Sequence, residues 1–163
     1  MNKIILFVLL GVIIIFGIGF YLSQQSVTAP SVSSTQTPTG YQGELLAGSS
    51  SPYLAFTKGD YEKARGENKI IFLDFYADWC PICRAEEPAL LEGFNKLTTD
   101  NVVGFRVNFK DSDTDEDEKA LAKEFNVPYQ HYKVIIKDGK VVFTSPDQWS
   151  SETLVTEIQK VDK

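Results

Sequence analysis

The chain has 163 residues, enough for one domain with additions, and a net charge of −6. No cluster of Lys or Arg offsets that acidity, which excludes a nucleic-acid-binding role. Two cysteines and one histidine are too few for a four-ligand structural zinc site.

Lys3 is followed by an uncharged, almost wholly apolar run from Ile4 to Leu22. At ~1.5 Å per residue a helix of that length reaches ~28 Å, close to the thickness of a bilayer core. Residues 1–22 therefore read as an uncleaved signal-anchor, a single transmembrane helix. The nearest cleavage site, Val27-Thr28-Ala29, is followed by Pro30, which disfavours a cleaved signal peptide. Lys3 keeps the N-terminus in the cytoplasm, so the body of the chain is expected outside the cytoplasmic membrane, where disulfides persist. Residues 23–52, rich in Ser, Thr, Gln, Pro and Gly, read as a flexible linker. Tyr41, Leu45 and Leu46 are its candidate docking groups.

A globular pattern covers 53–163. Tyr53–Phe56 is a short strand, and Gly59-Asp60 opens a helix through Arg65. Ile70–Tyr76, apolar, β-branched and aromatic, fits a buried strand. Apolar residues then recur at helical spacing from Pro81 to Leu97. Pro81 suits the first turn, and Pro88 falls inside. Val102–Phe109 is the next strand. The acidic run Asp111–Glu118 looks like a calcium loop, but Glu116 and Ala122 occupy the places of its obligatory Gly and Glu. It reads instead as the acidic start of a helix Glu118–Phe125. Asp138-Gly139 turns a hairpin between Lys133–Ile136 and Val141–Thr144, and Ser150 caps a last helix. The order β-α, β-α-β-α-β-β-α implies an α/β fold, a mixed sheet covered on both faces.

Cys80 and Cys83 lie where the buried strand turns into the helix. Two residues apart on a helix N-terminus, they can close a small disulfide ring, and the helix dipole favours the thiolate of the first. Cys80 is expected to be the nucleophile and the more exposed sulfur, with Cys83, one turn further in, resolving the mixed disulfide. An inert structural disulfide is the alternative. The dithiol carries the electrons, so no organic cofactor and no metal is required.

With Trp79 preceding Cys80-Pro81-Ile82-Cys83, the chain resembles the thioredoxin family over about 53–161. Further landmarks are Asp74, Pro88, Arg106 in Phe105-Arg106-Val107-Asn108, Phe125-Asn126-Val127 and the Asp138-Gly139 turn. The resemblance implies a thioredoxin fold and thiol–disulfide oxidoreductase activity on protein substrates, with a membrane redox partner. It implies that Asp74 is a buried carboxylate serving the proton of Cys83; a core polar residue balanced by Arg106 is the other reading. It places His131 where the family keeps a cis-proline facing the disulfide. There His131 could supply an imidazolium favouring the Cys80 thiolate, join the cysteines as a copper ligand, or be a surface loop residue. Tyr129, Gln130 and Tyr132 are candidates for the substrate groove. The rival functions are a copper-binding and delivery module using Cys80, Cys83 and His131, and a redox-inactive docking domain.

Overall fold

Ile70–Tyr76, in which Ile70, Ile71, Phe72, Phe75 and Tyr76 have high strand propensity, forms β3, the strand around which the others assemble. A computed structural model describes residues 40–163. The anchor expected at 4–22 and the first part of the linker lie outside the described residues. Among the described residues no helix is long and apolar enough to cross a membrane.

β4 (Val102–Asn108) pairs parallel to β3 over its full length, and β5 (Tyr132–Lys137) pairs antiparallel on the other side. β2 (Tyr53–Ala55) adds parallel to β4, and β6 (Lys140–Ser145) closes the Asp138-Gly139 hairpin against β5. Both turn residues have positive φ, as the two-residue hairpin requires. A sixth strand, β1 (Leu45–Ala47), pairs antiparallel to β2, giving the order β1-β2-β4-β3-β5-β6.

β1 corrects the linker boundary at 52. Tyr41 is buried and donates to Glu67 at 3.0 Å, and the buried Asp60 carboxylate accepts from the backbone of Gln42 and Gly43. Residues 40–52 thus belong to the folded unit, anchored by hydrogen bonds that their loop-like composition conceals.

Helix α1 (Lys58–Gly66), capped by Thr57, and helix α3 (Glu116–Glu124) cover one face of the sheet. Asp115 and Glu118 cap α3 reciprocally, so the acidic run is a helix start, as expected, beginning two residues earlier. Helix α2 (Pro81–Lys96) and helix α4 (Ser151–Val161) cover the other face. Gly104 allows the packing there: a Cβ would run into the rings of Phe94 and Tyr53, which stack at 4.7 Å.

Candidate active site

β3 ends at Tyr76 and α2 begins at Pro81, so the four intervening residues deliver the dithiol to the helix N-terminus. Cys80 is the N-cap of α2, and its Sγ accepts from the backbone N–H of Cys83 at 3.4 Å. An N-cap side chain normally receives this orphan helix donor through oxygen; here sulfur takes that place. Pro81 at the start of the helix offers no N–H of its own. Both cysteines are free thiols, and whole-residue exposure barely distinguishes them: Cys80 is 2% and Cys83 4% exposed, although the Cys83 sulfur is the more deeply set.

Electrostatics separates them instead. Burial raises the Cys80 thiol, but hydrogen bonds from the Cys83 side chain, from the backbone of Cys83 and Ile82, and from Gln130 outweigh it. The net direction is below an ordinary thiol. Cys83 is pushed up to about 12, first by burial and then by Cys80, with the Asp74 charge adding to the rise. One sulfur is poised to ionise and the other is held protonated.

The rim of the site is apolar and open. Trp79 is 51% exposed and Ile82 44%, and Tyr129, whose ring packs on His131, is exposed as well. The Trp79 indole N–H donates to the carbonyl of Lys110 at 3.0 Å, which fixes the ring.

The loop before β5 brings His131 to the cysteines. A ring nitrogen of His131 and the two sulfurs lie within 4.8 Å of one another. The His131 backbone has φ of +54°, and its N–H donates to the carbonyl of Phe75 at 2.6 Å. No cis peptide bond occurs among the described residues. Burial, and then the Lys133 charge, lower the His131 pKa below its ordinary value, which disfavours the imidazolium reading. Tyr129 packs on it at 5.5 Å and on Tyr132 at 6.1 Å, and Gln130 reaches Cys80.

Asp74 is buried at 4% exposure, and Tyr53 donates to its Oδ2 at 3.1 Å. Burial raises its pKa to about 6 against the lowering effect of Lys133. Arg106 lies opposite Asp74 in the β3–β4 register, yet its guanidinium bonds Glu87 at 2.5 Å and sits 5.2 Å from the Tyr76 ring. Arg106 still lowers Asp74 from across the register, after Lys133, while its direct ion pair goes to Glu87: α2 offers it a carboxylate nearer the surface, where charge is cheaper to keep.

Three residues escaped the sequence reading. Lys133, on β5 opposite Asp74, is fully buried and pairs with Glu86 of α2 at 2.5 Å. It also donates to the carbonyls of His131 at 3.1 Å and Asp147 at 3.0 Å. The second oxygen of Glu86 accepts from the backbone N–H of Trp149. Tyr53 completes the set through Asp74. Helical spacing held one signal, because Glu86 lies three residues after Cys83 and four before Leu90, on the face that packs inward.

A family model for thioredoxin matches residues 53–160. Thioredoxin H5 from Arabidopsis thaliana is 38% identical over 84 residues, covering 50% of this chain and 64% of that relative. The chain thus spans under two thirds of that relative's length. Among solved structures, thioredoxin NaTrxh from Nicotiana alata aligns with a TM-score of 0.51 at 27% identity, covering 68% of this chain and 92% of its own. A complex of ferredoxin:thioredoxin reductase and thioredoxin f2 gives a TM-score of 0.52 at 25% identity, covering 68% of this chain and 94% of the matched one. The family model runs from the strand that carries Tyr53 through the last helix, so that nearly the whole folded unit falls within it. The chain belongs to the thioredoxin family.

Proposed function

We propose that this protein is a thiol–disulfide oxidoreductase that exchanges disulfides with protein substrates outside the cytoplasmic membrane, held there by residues 4–22. The observation that carries the chemistry is the backbone N–H of Cys83 donating to the Cys80 sulfur at the start of α2. It favours the thiolate, the species that attacks a disulfide. The location rests on the apolar run and the single flanking Lys3.

In the reducing direction, the Cys80 thiolate attacks one sulfur of a substrate disulfide. The substrate S–S bond breaks, a mixed disulfide forms, and the released thiolate takes a proton. Consuming the Cys80 charge removes part of what held Cys83 protonated. Cys83 then yields its proton to the Asp74 carboxylate and attacks the Cys80 sulfur. The mixed disulfide breaks, and the substrate leaves with two electrons, both cysteines now joined. Run backwards, the same steps oxidise a substrate dithiol. Tyr53, donating to Asp74, holds the proton acceptor in place.

The exposed rings of Trp79 and Tyr129 and the Ile82 side chain are suited to grip the apolar flank of a polypeptide. A membrane redox protein is the natural partner for regenerating an anchored dithiol. The matched thioredoxin f2 was solved in complex with ferredoxin:thioredoxin reductase, which supports a protein redox partner for this chain.

Trapping tests the roles. Cys83→Ser mixed with a disulfide-bonded test protein should accumulate a mixed disulfide on a non-reducing gel, and Cys80→Ser should not. Equal trapping would contradict the assignment, and no trapping by either would overturn the exchange activity. The reduction potential then sets the direction: near ~−270 mV the protein is a reductant, near ~−120 mV an oxidant.

A further inference from the structure

We propose that the reduced protein binds one monovalent copper ion through the Cys80 and Cys83 sulfurs and a ring nitrogen of His131. The three ligand atoms already lie within 4.8 Å of one another, so modest rotation about the side-chain bonds closes them on a single ion. His131 is not free to drift away. Its backbone N–H is tied to Phe75, its carbonyl accepts from the buried ammonium of Lys133, and Tyr129 packs against its ring. Nδ1 of that ring is buried and has no hydrogen-bond partner among the described residues. An unpaired buried nitrogen is costly, and a metal ligand bond or a reoriented ring is what would satisfy it.

The donor set selects the ion. Two thiolates and an imidazole are the soft and borderline ligands that suit Cu(I) and zinc. Structural zinc sites take a fourth protein ligand, and no further Cys, His, Asp or Glu joins this cluster among the described residues; a three-ligand zinc site of this composition would need water in an open fourth position. Ala77 packs against the two cysteines, with Tyr76 at the edge, and Gln130 is the polar side chain that reaches Cys80, so the surroundings are mostly apolar and add no further Cys, His or carboxylate ligand. Cu(I), a closed-shell ion content with three ligands, fits a site of this composition.

Binding exchanges protons for metal. Two S–H bonds break, two Cu–S bonds and one Cu–N bond form, and two protons leave to solvent. Copper stays monovalent and no electron moves. The disulfide form has no thiolate to offer, so oxidation of the pair and copper loading exclude each other. This inference goes beyond disulfide exchange and does not rest on it, since exchange needs neither the ion nor the third ligand.

The test is an anaerobic titration of the reduced full-length protein with Cu(I) in competition with a chromogenic Cu(I) chelator, followed by X-ray absorption at the copper edge. The expected result is one ion per chain in a shell of two sulfurs and one nitrogen. His131→Asn removes the ring while tolerating the positive φ of that position. It should weaken binding by at least roughly tenfold, the lower end of what even outer-shell partners cost. His131→Gly, equally tolerant of that backbone, should do the same, and circular dichroism of both variants before loading verifies that they are folded. Protein oxidised to the disulfide should take up none. Wild-type affinity in both folded variants, a shell of sulfur alone in the native protein, or undiminished uptake by the disulfide form would each overturn the proposal.

Discussion

The two faces of the central sheet are built from the same strands yet have different tasks. Under α1 and α3 the inward positions are Ile71, Leu73, Phe75, Val103, Phe105, Val107, Val134 and Ile136, an unbroken apolar layer. Under α2 the same strands begin in the same way, with Ile70, Phe72, Val102 and Ile135. Towards the cysteines the pattern changes. Arg106, Asp74 and Lys133 form a row across β4, β3 and β5, and Glu86 and Glu87 meet it from the helix. Period-2 alternation lets one strand serve both layers: Leu73 and Phe75 point one way, and Asp74 between them points the other. One face stabilises the domain, and the other holds charges where a reactive dithiol can use them.

Breaking the charged face at its buried ion pair should have the largest effect. Lys133→Met leaves the Glu86 carboxylate buried without its cation and frees the carbonyls of His131 and Asp147. A loss of about 3–5 kcal/mol is expected from urea unfolding. Adding Glu86→Gln, which keeps an acceptor for the Trp149 N–H, should recover part of it. If the single substitution costs no more than an exposed pair would, the ion pair is not what holds this face together.

On the apolar face, Leu73→Ala should cost about 2–5 kcal/mol through lost burial and the cavity left behind. The comparison demands that this loss be independent of pH between 4 and 8. A pH-dependent loss would show that the two layers are coupled through the sheet.

Asp74→Asn should act in the opposite sense. The folded-state pKa of Asp74 is raised from 3.8 to about 6, so the native protein holds this proton more tightly than the unfolded chain. Below pH ~4 the group is protonated in both states and costs nothing. As pH rises through about 6, the native carboxylate must ionise while buried, and stability falls. The shift of roughly 2 units corresponds to about 3 kcal/mol. Asp74→Asn should therefore be more stable than the native protein by up to about that amount at pH 8, with the difference vanishing near pH 4. Parallel stability–pH curves for the two proteins would contradict the raised pKa.

Much of this architecture was legible in the chain. β3 was readable to the residue because it is apolar on both faces, and the hairpin was readable because Asp138-Gly139 tolerates positive φ. The dithiol announced its site by its spacing together with its place between strand and helix and the flanking Trp79 and Pro81. β1 was not legible: three residues in a Gly- and Ser-rich stretch have no periodicity, and the segment leading into them is held by Asp60 and Glu67, distant in sequence. Lys133 read as the polar start of a strand, since nothing local to β5 shows that Glu86 waits above it. Arg106 acts on Asp74 through its charge, but its ion pair with Glu87 was not legible, because strand register shows which residues lie opposite and not which way a long side chain turns. For the cysteines, sequence suggested a difference in exposure; as whole residues they are almost equally buried, and the difference lies in the hydrogen bonds that lower the Cys80 thiol and the deeper burial that raises Cys83.

That difference between Cys80 and Cys83 is the centre of the account, and thiol alkylation across pH measures it directly. The reduced protein is treated briefly with iodoacetamide at each pH, and each cysteine is quantified by peptide mass spectrometry. Cys80 should be modified with an apparent pKa below that of an ordinary thiol, and Cys83 should stay unmodified until the pH approaches about 12. Equal modification of the two cysteines, or faster modification of Cys83, would contradict the assignment of nucleophile and resolving thiol.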